Sequence, residues 1–275
     1  MAGSRPYQPG DDVDAIDWAA SARLSSARGT DEFVVRERYA EEAPRVVVVC
    51  DRRAGMGLFP PELPWLRKPD AMRTAVELIV ASAARSRGFA GYLDVAGGEP
   101  FWQPPRSQAS VERSEEWLGR GGFDAPADGL AVALAHLEDH ARAVPSGSFV
   151  FVLSDFLVEP PDDVWLRATQ RRWDVVPVVI QDPTWERSFP DAHGIALPVV
   201  DAATGRRELL RLSAREARGR REANEARARA IDDGFLRLRI EPVTLTSAEP
   251  ERVLEAFLHW SDGRAHARGA EWRAA

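Results

Sequence analysis

Three acidic residues each follow a stretch of apolar sequence, and they are the side chains best placed to do chemistry. They are Asp51 after the run 45–50, Asp155 after the run 148–153, and Asp182 after the run 173–181. Two carboxylates such as Asp51 and Asp155 could serve as acid and base in a metal-dependent hydrolysis. Aspartates at such positions more often bond loop amides or cap a helix. The residue types therefore leave an enzymatic and a structural interpretation open.

A histidine pair is the second pattern that could take part in chemistry. His136 and His140 are separated by about one helical turn, with Glu138 between them. This spacing can hold zinc, but the order of the residues is not His-Glu-x-x-His, and a histidine late in a helix is favoured by the helix dipole. We therefore expect a structural role for both histidines.

The composition of the chain excludes several classes of protein. The chain has 275 residues, 44% of them hydrophobic, and a formal net charge of -7. An acidic chain without a basic, aromatic-rich stretch is not expected to bind nucleic acid. Lys68 is the only lysine, which removes the lysine of a phosphate-binding loop, and Cys50 is the only cysteine, which removes intrachain disulfides. Since no apolar run approaches the roughly 20 residues of a membrane span, we expect a cytoplasmic protein.

Apolar strands alternate with helical periodicities along the middle of the chain. The pattern predicts strands at 45–50, 88–96, 148–153 and 173–181, and helices at 71–86, 109–118, 130–143 and 162–171. A shorter edge strand is predicted at 99–103, where Pro104 and Pro105 should stop it. The alternation indicates an α/β fold with an open, mostly parallel sheet and helices on both faces. The working site of such a sheet lies at the carboxyl ends of its strands, where Asp51, Asp155 and Asp182 would meet.

The two ends of the chain depart from this alternation. Residues 1–44 are polar and turn-rich, and we expect an irregular appendage packed on the main domain, with Trp18 as a buried anchor. The main α/β core is expected to span 45–183. Residues 184–275 are then expected to complete the same domain as a C-terminal extension.

The C-terminal extension is predicted to combine a hairpin with helices. Two apolar stretches within 195–212 flank a turn, which indicates a β-hairpin. A capping box at Ser213 should begin a long helix that ends near residue 232. A short strand near 236–240 and a closing helix at 251–260 follow in the prediction.

The residues that open the chain and those that follow its strands form a recognisable set of motifs. They are Gly10, Asp11, Asp12, Asp17, Trp18 and Arg23 within the sequences PGDD, IDW and SAR, then Ser154-Asp155-Phe156, Asp182-Pro183, Glu186 and Pro190. With the apolar strand ending in Asp51, these motifs resemble the bacterial "domain of unknown function 58" family over nearly the whole chain. Asp14 departs from the family, which usually has an arginine there. The resemblance implies a fold like that of the von Willebrand factor A domain.

The resemblance also implies a binding role rather than a reaction. Relatives commonly carry membrane helices ahead of these motifs, so this chain is expected to be a short, soluble member. Such proteins resemble companions of MoxR-type AAA+ ATPases, and A-domains commonly grip a partner through a metal-ion-dependent adhesion site. That site requires an Asp-x-Ser-x-Ser loop, a later Thr and a second Asp, because hard divalent cations prefer oxygen ligands. Only Asp51 and Asp155 match, while Arg53 and Gly55 occupy the serine positions. We therefore expect a degenerate site without a metal or other cofactor.

Arg53 is the residue expected to take the place of the cation. Its guanidinium stays charged and can bond carboxylates in bidentate fashion, so we expect it between Asp51 and Asp155, with Arg52 pointing the other way. Gly55 and Asp182 would complete the edge of the partner-binding site. The sequence thus predicts a non-enzymatic adaptor with an ATPase partner and an unidentified client protein. The alternatives are the hydrolase named above and a structural subunit of a larger assembly.

Overall fold

The computed structural model describes residues 3–6, 21, 34–37, 43–58, 66–202 and 204–274. The chain divides into two compact units, Met1–Ala43 and Pro44–Ala275. In the first unit, β1 (Gly3–Pro6) pairs with β2 (Val34–Glu37) in antiparallel register. The predictions for Gly10, Asp11, Asp12, Asp17, Trp18 and Arg23 lie outside the described residues.

The second unit is built on a six-stranded sheet. Its strands are β3 (Arg45–Cys50), β4 (Phe89–Asp94), β5 (Phe101–Gln108), β6 (Phe149–Ser154), β7 (Asp174–Ile180) and β10 (Val243–Leu245). Their order across the sheet is β10-β7-β6-β3-β4-β5, and every neighbouring pair is parallel except β4 with β5. The predicted open, mostly parallel sheet is therefore confirmed.

Within the described ranges, three helices cover each face of the sheet. One face carries α1 (Lys68–Arg85), α2 (Val111–Gly119) and α6 (Pro250–Ala274), and the other carries α3 (Gly129–Asp139), α4 (Asp162–Gln170) and α5 (Ala214–Arg237). Val46 and Val48 of β3 belong to the first core, and Val47 and Val49 belong to the second. Because successive side chains of a strand point to opposite faces, an unbroken apolar run suits a strand covered on both sides.

The edge strand β5 differs from its prediction. The predicted stop at Pro104 is wrong, since β5 continues through both prolines to Gln108. An edge strand pairs on one side only, so a residue without an N–H donor can be accommodated there. The register against β4 shifts beside Gly91, where an added Cβ would lie 2.9 Å from Cδ of Pro105. The close approach of the two backbones at this bulge requires glycine.

The C-terminal hairpin and the start of the long helix agree with the sequence. β8 (Ala196–Val200) and β9 (Arg207–Arg211) form a separate two-stranded antiparallel sheet. Ser213 caps α5, because its Oγ accepts the N–H of Glu216 at 3.3 Å. The Glu216 carboxylate accepts the N–H of Ser213 at 2.8 Å in return. The predicted hairpin and capping box are therefore confirmed.

The predicted strand at 236–240 is wrong. α5 continues to Arg237, with Ile231 and Phe235 buried one turn apart, and the chain leaves the helix at Arg239, whose φ is 56°. The apolar residues after 235 alternate with polar ones, as in a strand, although they lie at the end of a helix. The edge strand lies later in the chain as β10, and α6 extends well beyond its predicted end at residue 260.

Candidate functional site

The carboxyl ends of β3, β6 and β7 lie side by side, so the residues that follow these strands meet at one edge of the sheet. Asp51 follows β3, Asp155 follows β6, and Asp182 lies just beyond β7. The three residues are only 2%, 3% and 0% exposed, respectively. The predicted gathering of acidic residues at this edge is confirmed. Because a buried carboxylate is costly unless it is paired, each of them needs partners inside the protein.

Asp51 has its partners in the loop that follows it and at the end of β6. Nε of Arg53 donates to Oδ1 and Oδ2 of Asp51 at 3.0 and 2.9 Å, and Nη2 donates to Oδ2 at 2.5 Å. The Ser154 hydroxyl donates to Oδ2 of Asp51 at 2.6 Å. Nη2 of Arg53 also lies 3.6 Å from Oδ1 of Asp155, which is an ion-pair distance but longer than a hydrogen bond. Arg53 therefore lies near both carboxylates, as predicted, but its hydrogen bonds to carboxylates go to Asp51.

Asp155 is held by a second cation, Lys68, the first residue of α1. Nζ of Lys68 donates to Oδ2 of Asp155 at 2.8 Å and to the carbonyl of Gly55 at 3.3 Å, and it forms an ion pair with Glu186. Lys68 is 0% exposed. Beside Arg53, whose position near both carboxylates was expected, Lys68 is thus a second buried cation at this edge of the sheet, and it was not expected. We call these five residues the strand-end network: Asp51, Arg53, Lys68, Asp155 and Glu186.

Asp182 supports this network through the backbone. Its Oδ1 accepts the N–H groups of Thr184 and Trp185 at 2.8 and 2.9 Å, and its Oδ2 accepts the N–H of Leu66 at 3.0 Å. The N–H of Asp182 donates to Oε2 of Glu186 at 2.8 Å. Amide donors thus occupy both carboxylate oxygens of Asp182, and the residue positions the loop that brings Glu186 to Lys68.

The network contains three carboxylates and two cations. Burial raises the pKa of Glu186 above its ordinary value of 4.5, while the Lys68 ammonium opposes that shift. Burial disfavours the charged form of Arg53, but its bonds to Asp51 and the charge of Asp155 raise its pKa overall. The Arg53 guanidinium therefore stays charged, and burial favours the neutral form of Glu186.

Arg52 belongs to a different buried cluster and points away from the network, as predicted. Its Nε donates to Oδ2 of Asp94 at 3.0 Å, and its Nη2 donates to the Tyr92 hydroxyl at 2.9 Å and to the Leu118 carbonyl at 3.0 Å. The Tyr92 hydroxyl donates to Asp94 at 2.7 Å. Burial raises the pKa of the neighbouring Cys50 thiol to about 12. The thiol is therefore buried and protonated at neutral pH, which makes it a poor nucleophile.

A family comparison agrees with the motifs found in the sequence. The family described as "Protein of unknown function DUF58" matches residues 3–231. The chain belongs to the DUF58 family. This match includes the strands that carry Asp51 and Asp155 and the loop that carries Glu186. No curated protein matches the chain.

Three solved structures resemble this DUF58 chain at low identity. An aerotolerance-related membrane protein from Bacteroides fragilis NCTC 9343, carrying multiple mutations to serine, is 13% identical, with a TM-score of 0.42 over 70% of this chain and 99% of that one. The pilus adhesin SpaC from Lactobacillus rhamnosus GG is 15% identical, with a TM-score of 0.31 over 74% of this chain and 24% of that one. An uncharacterized membrane spanning protein from Vibrio fischeri is 13% identical, with a TM-score of 0.20 over 79% of this chain and 98% of that one. These likenesses are too weak to indicate an activity or a partner. In the described part of the DUF58 chain, no helix is long and apolar enough to cross a membrane.

The donor set of the strand-end network does not suit a divalent cation. Such a cation takes several oxygen ligands, but Arg53 and Gly55 occupy two of the usual ligand positions and the Lys68 ammonium lies against Asp155. An added Cβ at Gly55 would lie 3.4 Å from Oδ2 of Asp155, which shows how closely this loop approaches the carboxylate. Among the described residues, no group of three or more His, Cys, Asp or Glu could hold a metal ion. The expected metal-free state stays a prediction that titration can test.

The histidine pair lies at the end of α3, and neither ring belongs to the strand-end network. The rings of His136 and His140 stack with centroids 4.1 Å apart, and Nδ1 of His140 lies 2.8 Å from the carbonyl oxygen of His136. Burial and the nearby His140 lower the pKa of His136. The rings are adjacent, as their spacing predicts, and His140 bonds to the last turn of its own helix.

Two members of the network, Lys68 and Glu186, were not predicted as site residues. Each carried a signal in the sequence. Lys68 is the only lysine of an arginine-rich chain, and Glu186 belongs to the family motif that follows Asp182. Neither signal predicts that the two side chains are close in space. Lys68 begins a helix and Glu186 lies in a loop, and their contact depends on how α1 packs against the sheet.

Proposed function

We propose that this DUF58 chain is a non-enzymatic protein-interaction adaptor whose strand-end site is closed by internal ion pairs instead of a metal ion. The supporting observation is that Asp51 and Asp155 are both buried and each contacts a cation, Arg53 or Lys68. The oxygens of both carboxylates already accept hydrogen bonds inside the protein, which makes them poor ligands for a metal ion. Partner binding by this adaptor is therefore independent of divalent metal.

The same burial weighs against the alternative, a metal-dependent hydrolase using Asp51 and Asp155. A catalytic acid or base must come within hydrogen-bond reach of its substrate or of a water molecule. A cleft of about 480 Å³ opens beside Asp182 and Thr184, but neither Asp51 nor Asp155 lines it. A hydrolase of this design would have to break the strand-end network before every turnover.

The proposed partner is a MoxR-type AAA+ ATPase, with an unidentified protein as client and the cytoplasm as location. This part of the proposal relies on the family resemblance of the motifs around Asp155 and Asp182. The family match over residues 3–231 supports that resemblance. In this arrangement the chain would link the ATPase to its client and would perform no reaction itself.

Co-purification tests the adaptor function. The tagged full chain is expressed with the MoxR-type ATPase of the same genome, and we expect the two to co-elute in size-exclusion chromatography when ATP is present. An unrelated tagged protein of similar charge is the control. Failure to co-elute contradicts the ATPase partner, and equal complex formation with and without ATP indicates a structural subunit instead.

A second measurement separates the adaptor from the hydrolase. The purified chain is incubated with Mg²⁺ or Mn²⁺ and p-nitrophenyl phosphate, and we expect no turnover above the rate of the buffer. Turnover that disappears in the Asp51→Asn and Asp155→Asn variants would support the hydrolase and contradict the adaptor.

A further inference from the structure

The β8–β9 hairpin exposes one complete face to solvent. Residues directly opposite each other on antiparallel strands point to the same side, and every second residue of a strand shares that side. The cross-strand pairs on this side are Ala196 with Arg211, Pro198 with Leu209, and Val200 with Arg207. All six residues are exposed, and Leu209 is 74% exposed. We call these six residues the hairpin face.

The opposite side of the hairpin is partly enclosed, because one of its cross-strand pairs is half-buried while the other, Val199 with Glu208, is exposed. Leu197 and Leu210 face each other there and are half-buried. An isolated two-stranded hairpin is marginally stable in water, and an exposed apolar strip commonly marks a contact site. The hairpin therefore leaves an apolar strip exposed on the side opposite Leu197 and Leu210.

The hairpin face also carries two positive charges, those of Arg207 and Arg211. Residues 206–221 contain seven arginines and two glutamates, in a chain whose net charge is -7. Glu208 pairs with Arg206 at 3.0 Å, and Glu216 bonds to Ser213. Among the described residues, Arg207 and Arg211 form no ion pair. The face thus has an apolar centre with an unpaired guanidinium at each end.

We propose that the hairpin face binds an acidic, extended segment of a partner protein, in which one apolar side chain covers Leu209 and two carboxylates pair with Arg207 and Arg211. The two arginines are four residues apart on β9, which corresponds to about 13 Å along a strand. A partner segment of matching geometry has the pattern acidic-x-apolar-x-acidic, because residues four apart in an extended chain span the same distance. Guanidinium groups bond carboxylates in bidentate fashion, which favours such a segment over a neutral one. This surface is separate from the strand-end network, and the inference does not depend on an ATPase partner.

Peptide binding to the full chain tests this inference. The probe is a synthetic peptide containing Asp-Ser-Leu-Ser-Asp, titrated into isotope-labelled protein at low ionic strength and followed by NMR. We expect the backbone signals of residues 196–211 to shift. The Arg207→Glu, Arg211→Glu double variant should bind the peptide at least about tenfold more weakly, because two attractions become repulsions. A Lys-Ser-Leu-Ser-Lys peptide should bind this double variant better than it binds the wild type.

Controls keep the outcome decisive. Arg229→Glu reverses the charge of an exposed arginine elsewhere on α5 and should leave peptide binding unchanged. All variants should keep the wild-type melting temperature, because the altered side chains are exposed. Equal binding of the acidic peptide to the wild type and the double variant would overturn the proposal. A concentration-dependent dimer that Leu209→Ser abolishes would also overturn it, since a second copy of the chain would then cover the face.

Discussion

The strand-end network and the hairpin face both contain arginines beside apolar residues, but the two regions use their charges in opposite ways. In the network, Arg53 and Lys68 are buried and lie within hydrogen-bond distance of Asp51 and Asp155. On the hairpin face, Arg207 and Arg211 are exposed and, among the described residues, form no ion pair. The charges of the first region are paired within the protein, whereas the arginines of the second region are available to pair with a partner.

Burial, more than charge itself, therefore decides how much a cation contributes to the free energy of unfolding. Removing one member of a buried ion pair leaves the other charge desolvated and uncompensated, which costs about 3 to 5 kcal/mol. Removing an exposed arginine without partners usually changes stability by less than about 0.5 kcal/mol. The same substitution should therefore have very different effects in the two regions.

The largest effect is expected for Lys68→Met. Methionine fills a similar volume but leaves Asp155 and Glu186 without their ammonium, so the free energy of unfolding should fall by about 3 to 5 kcal/mol. Arg211→Met removes a cation from the hairpin face and is the matched control, with an expected change below about 0.5 kcal/mol. Both are measured by urea unfolding. Similar losses in the two variants would abolish the distinction between the regions.

Double-mutant cycles sharpen the comparison within the network. Arg53→Ala is combined with Asp51→Ala in one cycle and with Asp155→Ala in another, and the unfolding free energies give the two coupling energies. We expect a coupling above about 1 kcal/mol with Asp51, because that pair is hydrogen-bonded, and a smaller coupling with Asp155 at its longer distance. Additivity in both cycles would show that Arg53 does not stabilise the network.

A smaller effect is expected from the protonation of Glu186. Burial raises its folded-state pKa above the unfolded value of 4.5, so the folded chain binds this proton more tightly. The resulting stabilisation is complete below the unfolded pKa and is lost as the pH rises through the folded pKa. As the pH rises above about 4.5, the wild type should therefore lose stability relative to Glu186→Gln, which cannot titrate. Parallel pH profiles of the two proteins would contradict this assignment.

No effect at all is expected from divalent metal. Mg²⁺, Mn²⁺ or Ca²⁺ should leave the melting temperature unchanged, because a ligand stabilises a protein only by binding its native state and the network offers too few free oxygens. The hairpin face, which carries unpaired cations, provides no metal ligands either. Saturable stabilisation that is absent from Asp51→Ala and Asp155→Ala would show that these two residues bind a metal ion.

Local patterns were sufficient to predict the central strands of the sheet and the position of the acidic residues that follow β3, β6 and β7. The run 46–49 indicates a strand covered on both faces, and the capping box at Ser213 marks the start of α5. The partners of the carboxylates could not be predicted in this way. Lys68 reaches Asp155 across 87 positions of sequence, and its contact depends on how α1 packs on the sheet. Periodicity is likewise ambiguous at 236–240, where alternating apolar residues end a helix instead of forming a strand.

The burial of Lys68 also determines when the cell could attach a modifying group to a lysine of this chain. Lys68 is the only lysine in the sequence, and it is 0% exposed in the folded chain. An enzyme that transfers an acetyl group or a protein tag to lysine must reach the amine, and acetylation removes the positive charge. The folded chain offers no lysine to such enzymes, and unfolding exposes one. Lysine-directed tagging would therefore act selectively on unfolded copies.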